Sequence, residues 1–322
     1  MISARICLQA LKLAAAAAVL VLGPQFLYAQ VETAQPTCTL QFFQHSVTVN
    51  GYIFKTYQER DASTESACLE VARAGQVVFR KVEDQGSFSL GQRAERELGV
   101  PGIRPGTDVT GRGHPEMIVS YYSGGAHCCT SILLFELEPQ LKLLSTLEVG
   151  DSSNSHFERD TQNGGYYFVG SDEGFAYWHT DFADSPIQKV ILRPVSNEMG
   201  NLTFQLDLKK MHRRTPTEQE WQEKYLPQAR AAFAPDAAFD NYYAGSALWA
   251  QMLDWIYGGQ ANWAWKLVNA AWPAEKPGKD DFLKEFCGQL AQSAYWPDLQ
   301  TQISTPPAAC EQGIMEAAKK PK

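Results

Sequence analysis

Short apolar and β-branched runs, separated by Gly, Asn and Asp, dominate the chain from about residue 38 to 208. Residues 67–72 and 77–82 flank Arg73-Ala74-Gly75-Gln76, the pattern of a hairpin. Runs at 117–122, 131–137 and 141–149 continue the series, 166–169 follows the turn signal Asn163-Gly164-Gly165, and 190–193 and 202–206 close it. No helical period separates these runs, so the pattern predicts antiparallel sheets, sandwiched or propeller-like, rather than a parallel α/β sheet. About three blade-equivalents fit before residue 208, fewer than the roughly four at which a propeller closes.

The period changes near Pro216. Thr217-x-x-Glu220 is a capping box, in which a hydroxyl and a carboxylate take up the first free amides of a helix. Helical stretches follow at about 239–257, 261–271 and 279–294. In the last, Phe282, Leu283, Phe286, Cys287 and Leu290 fall on one apolar face. The predicted fold is therefore α+β: a β-rich domain over 30–210, a small helical domain over 215–300, and a Pro-rich, charged tail over 301–322. Six of the eight tryptophans lie between Trp249 and Trp296, at spacings expected of a helical core more than of a binding platform.

Residues 1–29 have a different pattern. Arg5 and Lys12 are positive, 13–22 is apolar and alanine-rich, and Leu27-Tyr28-Ala29 ends on a small residue. These are the parts of a cleaved signal peptide, with cleavage expected before Gln30. The apolar run is too short to cross a hydrocarbon layer of about 30 Å as a helix, and no later run is long enough either. A periplasmic or secreted location follows, without a transmembrane segment after cleavage. Loss of Arg5 and Lys12 takes the formal charge from −8 to −10. An acidic chain disfavours nucleic acid and anionic membranes as partners, which leaves an envelope protein or a glycan.

Six cysteines remain after cleavage, and export favours their oxidation. Proximity favours Cys38–Cys68 and Cys287–Cys310. Cys128-Cys129 then pair with each other in a strained vicinal disulfide, pair with distant partners, or join His127 in a metal site. The vicinal disulfide is the leading expectation, since the first two bridges leave this pair as the remainder.

Asp108-Val109-Thr110-Gly111-Arg112-Gly113-His114-Pro115-Glu116 precedes the apolar run at 117–120. This resembles the D-x-(D/N/T)-G-D-G-x-x-(D/E) loop of FG-GAP/VCBS-type β-propeller repeats. The resemblance implies a loop leading into a strand, with calcium as the cofactor and Asp108, Thr110, Glu116 and the His114 carbonyl at ligand positions. Arg112 departs from the pattern, replacing an oxygen donor by a cation. Because of Arg112 the leading reading is a structural turn in which Asp108 and Thr110 cap amides, with no cofactor, and a bound calcium is the alternative. Together with Ser123-Gly124-Gly125-Ala126-His127-Cys128-Cys129, Phe175-Ala176-Tyr177, Phe182-Ala183-Asp184-Ser185 and Leu192-Arg193, the loop resembles an uncharacterised family of secreted bacterial proteins. That resemblance implies a fold and a location, and no activity.

Nucleophile-elbow, zinc-protease, phosphate-loop and dinucleotide signatures are all missing from the sequence. His156-Phe157-Glu158 and Asp160 read as a polar, solvated loop. His127, Trp178, His179 and Asp181 are the candidate ligand surface. The expected function is that of an exported, non-enzymatic binding or interaction protein. The alternatives are an envelope hydrolase with an inter-domain site, or a redox- or metal-responsive protein using Cys128-Cys129.

Overall fold

Two-residue turns set the first sheet. Asn50-Gly51 and Ala74-Gly75 all have positive φ, the conformation that a tight hairpin turn demands. They join β1 (Phe42–Val49) to β2 (Tyr52–Gln58) and β3 (Ala67–Arg73) to β4 (Gln76–Glu83). A computed structural model of the chain describes residue 38 and residues 42–58, 66–125, 128–150, 154–197, 201–239 and 242–319. The segment read as a signal peptide, His127 and the Cys128 side chain lie outside the described residues.

Three antiparallel four-stranded sheets follow one another in the chain. The first is β1–β4. The second is β5 (Ser87–Leu90), β6 (Glu116–Gly125), β7 (Cys128–Glu136) and β8 (Lys142–Gly150). The third has the order β12 (Leu202–Leu206), β11 (Gln188–Ser196), β10 (Tyr166–Asp172), β9 (His156–Arg159). This is the α+β architecture, with sheets that do not close into a propeller.

The second sheet is buried on both faces. Met117, Val119, Leu133 and Phe135 join Phe54, Leu69 and Val71 of the first sheet in one core. Ile118, Ile132 and Leu134 join Phe157, Phe168, Val190 and Leu192 of the third in another. Neighbours in one strand thus serve opposite cores, which is why 117–119 reads as an unbroken apolar run.

Helix α1 (Ala94–Glu97) follows β5, and the other helices lie beyond β12. Asp207 caps α2 (Leu208–Met211) by accepting from the Lys210 amide. The capping box forms: the Glu220 amide donates to Thr217 Oγ1 at 3.2 Å, and the Thr217 amide donates to Glu220 Oε2 at 2.8 Å. It opens α3 (Glu218–Glu220), which runs through a π turn at Trp221–Tyr225 into α4 (Leu226–Ala231). Helices α5 (Ser246–Tyr257), α6 (Ala261–Ala271), α7 (Lys279–Leu290), α8 (Trp296–Leu299) and α9 (Ala308–Ala317) complete the chain.

In the helical part, two features differ from the sequence pattern. Helix α5 begins at Ser246 rather than near 239, because Gly245 is extended and packs so tightly on Ala237 that a Cβ there would overlap its carbonyl oxygen. The 301–322 tail contains α9, which packs on α7 and is tied to it by Cys287–Cys310, with Cα atoms 5.1 Å apart. A second bridge, Cys38–Cys68, has a Cα separation of 5.7 Å.

Trp249, Trp255, Trp265 and Trp272 are buried in the helical part. Thr37–Lys322 forms one compact unit, and the core of the third sheet is continuous with that of the helices. Among the described residues, no helix is long and apolar enough to cross a membrane.

Candidate functional site

The loop before β6 brings its predicted ligands together and then uses their oxygens internally. Gly111 and Gly113 have φ of 73° and 82°, which lets the chain curl around Asp108. Asp108 Oδ1 and Oδ2 accept from the Arg112 and Gly113 amides at 3.0 and 2.8 Å. Glu116 Oε2 accepts from the Val109 and Thr110 amides at 2.9 and 2.8 Å, and Oε1 from the Thr110 hydroxyl at 2.6 Å.

Arg112 turns back over this knot. Its Nε donates to Thr110 Oγ1 at 3.1 Å, and Nη2 lies 3.5 Å from Glu116 Oε1 while bonding Glu136. Burial pushes the Glu116 carboxyl above its ordinary pKa; the Thr110 hydroxyl, the two amides and Arg112 oppose that rise. Among the described residues, the His114 side chain makes no hydrogen bond to these groups. Among the described residues, no group of three or more His, Cys, Asp or Glu is arranged to hold a metal ion.

Of the candidate ligand surface, Trp178 and His179 are in ring contact at 4.8 Å and both meet Tyr242, Asp181 follows in the next turn, and His127 lies outside the described residues. Trp178 leaves the loop after β10 and wedges into the helical core, with ring centroids 5.2 Å from Trp249 and 5.3 Å from Tyr242. His179 stacks on Tyr242 at 3.7 Å, with Nε2 3.5 Å from Glu285. Asp181 caps its own turn by accepting from the Asp184 amide at 2.9 Å. Cys129 is disulfide-bonded, and its amide donates to Ser123 Oγ at 2.8 Å. The pairing Cys128–Cys129 rests on the sequence argument, because the Cys128 side chain is outside the described residues.

Sequence reasoning missed a cleft of about 540 Å³. One wall is Val100, Pro101, Gly102 and Ile103; the other is His156, Phe157, Glu158, Arg159 and Tyr166. The first wall is pinned by Glu95, whose Oε1 accepts from the Ile103 and Gln92 amides, both at 3.2 Å. The second is the start of β10 and the edge strand β9, the latter in place of the solvated loop expected at His156-Phe157-Glu158. The legible signal was the polar–apolar–polar order of His156, Phe157 and Glu158 before the Gly164-Gly165 turn.

On β9, Glu158 stands opposite Tyr167 of β10. His156 Nε2 faces Glu158 Oε1 at 2.9 Å, and the other ring nitrogen faces the Asn154 carbonyl oxygen. Glu158 Oε2 accepts from the Tyr167 hydroxyl. That bond holds the Glu158 carboxyl below its ordinary pKa, helped by His156 and Lys189, and pushes the Tyr167 hydroxyl up to about 12. Lys210 covers the Tyr167 ring at 4.6 Å and lies 3.6 Å from Asp160 Oδ1. Arg159, exposed at the rim, makes no side-chain bond among the described residues.

No family model matches this chain, and no curated protein and no solved structure gives a significant match.

Proposed function

We propose that the protein is an exported binding protein of the bacterial envelope, which holds a sugar unit or a similar small organic group in the cleft beside β9. The carrying observation is the combination of a mainly apolar cleft of about 540 Å³ with a polar rim in which His156 and Glu158 are held by hydrogen bonds. Both ring nitrogens of His156 face oxygen atoms, and both oxygens of Glu158 have donors. These bonds hold His156 and Glu158 in fixed orientations at the rim, which suits the network to orienting a ligand. Tyr166 supplies an aromatic surface and Arg159 an uncommitted donor. The two disulfides and the lack of a membrane-crossing helix among the described residues are compatible with export.

The test is calorimetric titration of the mature chain with envelope glycan fragments. One fragment class is expected to bind saturably, with affinity falling about tenfold, or about 1.4 kcal/mol, in Tyr166→Ala and in Arg159→Ala. Conversion of a fragment to product, or binding that neither substitution alters, overturns the reading.

In this reading the 108–116 loop keeps the frame of an FG-GAP/VCBS-type repeat and needs no calcium. The Arg112 guanidinium supplies the positive charge beside Glu116 and Glu136 that a cation would otherwise bring.

A further inference from the structure

One buried side chain ties together the two walls of the cleft beside β9. Gln92 follows β5 and is 2% exposed. Its amide oxygen accepts from the Phe157 amide of β9. Its amide nitrogen donates to the Pro101 carbonyl at 3.5 Å, a long and weaker bond. Phe157 belongs to one wall and Pro101 to the other. Among the described residues, the lining of the cleft does not include Gln92, which acts from behind it.

Strand alternation explains why a polar group is needed there. β9 is an edge strand of the third sheet. The Asp160 amide donates to the Gly165 carbonyl, on the β10 side, so the Phe157 amide, of opposite parity, is directed off the edge. Phe157 is buried, and a buried amide without an acceptor is costly. A carboxylate in place of Gln92 would take up that amide but repel the Pro101 carbonyl. A side-chain amide accepts from one wall and donates to the other. The point from which it does so is fixed. The Gly91 amide donates to the Ile118 carbonyl at 2.9 Å, Ser120 Oγ donates to the Gly91 carbonyl at 2.8 Å, and the Arg93 amide donates to Ser120 Oγ at 3.1 Å. Residues on both sides of Gln92 are thereby tied to β6. Glu95 adds a second hold on the 100–103 wall through the Ile103 amide, and Gly102 gives it room: a Cβ at Gly102 would stand 2.9 Å from Glu95 Oε2.

We propose, resting on the reading of the cleft as the ligand site, that Gln92 is a positioning residue: it sets the separation of β9 from the 100–103 wall, and through that width it sets how tightly a ligand is held. With the Phe157 and Ile103 amides taken up by Gln92 and Glu95, neither is free to pair across the gap. A ligand held between two walls loses contact with one of them when they part. A gap of about 0.5–1 Å already forfeits roughly a quarter to a half of each dispersion contact. Gln92 therefore acts on affinity without touching the ligand.

The test compares the mature chain with Gln92→Glu and Gln92→Leu, using an N-acetylhexosamine disaccharide as the glycan probe. Gln92→Glu keeps the size of the side chain. Its carboxyl, when protonated, donates and accepts as the amide does; when ionised, it has no donor. Burial and the neighbouring Glu95 carboxylate hold that carboxyl above the ordinary range, so it ionises between acid and neutral pH. His156, Glu158 and Glu95 are present in parent and variant alike, so the quantity read is the ratio of their affinities at each pH. For Gln92→Glu the variant is expected to match the parent in acid and to bind about tenfold more weakly near neutrality. Gln92→Leu should bind about tenfold more weakly at every pH, with faster hydrogen exchange at the Phe157 amide. Thermal melts check folding, and Gln92→Glu in acid keeps the parent's bonding, so it serves if Gln92→Leu does not fold. A side chain that served the fold alone would lower Tm and leave the affinity of the folded protein unchanged. A ratio that does not vary with pH, or Gln92→Leu binding like the parent while its Phe157 amide exchanges faster, overturns the proposal. If the parent does not bind the probe, the glycan reading fails for this unit and the ligand-free proteins decide the role of Gln92. Faster exchange in Gln92→Leu at both Phe157 and Ile103 then supports it, since Ile103 keeps its Glu95 acceptor and speeds up only if the wall moves. Faster exchange at Phe157 alone, or at neither, overturns it.

Discussion

Replacing Arg112 by methionine keeps the apolar stem of the side chain and deletes the guanidinium. Glu116 is then left fully buried and Glu136 nearly so, at 0% and 12% side-chain exposure, with their shared cation gone. Breaking a buried ion pair from one side costs about 3–5 kcal/mol. Here Arg112 is 22% exposed, and Glu116 keeps its three bonds from Val109 and Thr110. The expected loss is therefore about 2–3 kcal/mol, or a fall in Tm on the order of 5–10 °C for a domain of this size. The loss should depend on pH in a defined direction. Burial raises the Glu116 pKa in the folded state, so folding is favoured while this group is protonated and loses that advantage as pH rises through the raised value. Arg112 limits the rise. Without it the penalty for ionising Glu116 grows, so the deficit of the variant should be smallest in acid and largest near neutrality. Thermal melts of parent and Arg112→Met from acid to neutral pH, each with and without chelator, measure all of this. An unchanged Tm, or a deficit that shrinks toward neutrality, refutes the internal-cation argument. A large chelator-dependent drop in the parent protein does so more directly, since it puts a bound metal where the guanidinium was assigned.

Two further outcomes test the covalent and packed parts of the chain. Gly313→Ala should cost about 1–3 kcal/mol in denaturant melts, because a Cβ at that position would overlap the Lys284 carbonyl oxygen where α9 crosses α7; an unaffected midpoint would show that the helices separate freely. Non-reducing peptide mapping should give one peptide containing both Cys128 and Cys129, two mass units below its dithiol form and linked to nothing else; a crosslink from either to another cysteine refutes the vicinal bridge. The same digest should place the mature N-terminus at Gln30, and a chain that keeps Met1 counts against export.

Local interactions are the part of this protein that its sequence alone determined. The Ala74-Gly75 hairpin, the Thr217–Glu220 capping box and the apolar face of α7 each depend on residues within a few positions of one another, and each forms as the pattern predicts. The order of sheets before helices is legible for the same reason, since period-2 and period-3.6 patterns are local properties. The sites needed the tertiary structure. Arg112 finds Glu136 across 24 positions, and it is that distant carboxylate, together with Glu116, that explains a cation in this loop. Phe157 is tied by its amide to Gln92, 65 positions earlier, which makes β9 one wall of a cleft instead of a solvated loop. Trp178 belongs to a loop between strands yet packs against Trp249 and Phe286 of the helices, so its role as a wedge could not be read from its neighbours in the chain. The physical reason is common to all three: a side chain's local pattern states whether it tends to be buried, whereas its partners are chosen by which elements the packed sheets and helices bring within a few ångströms.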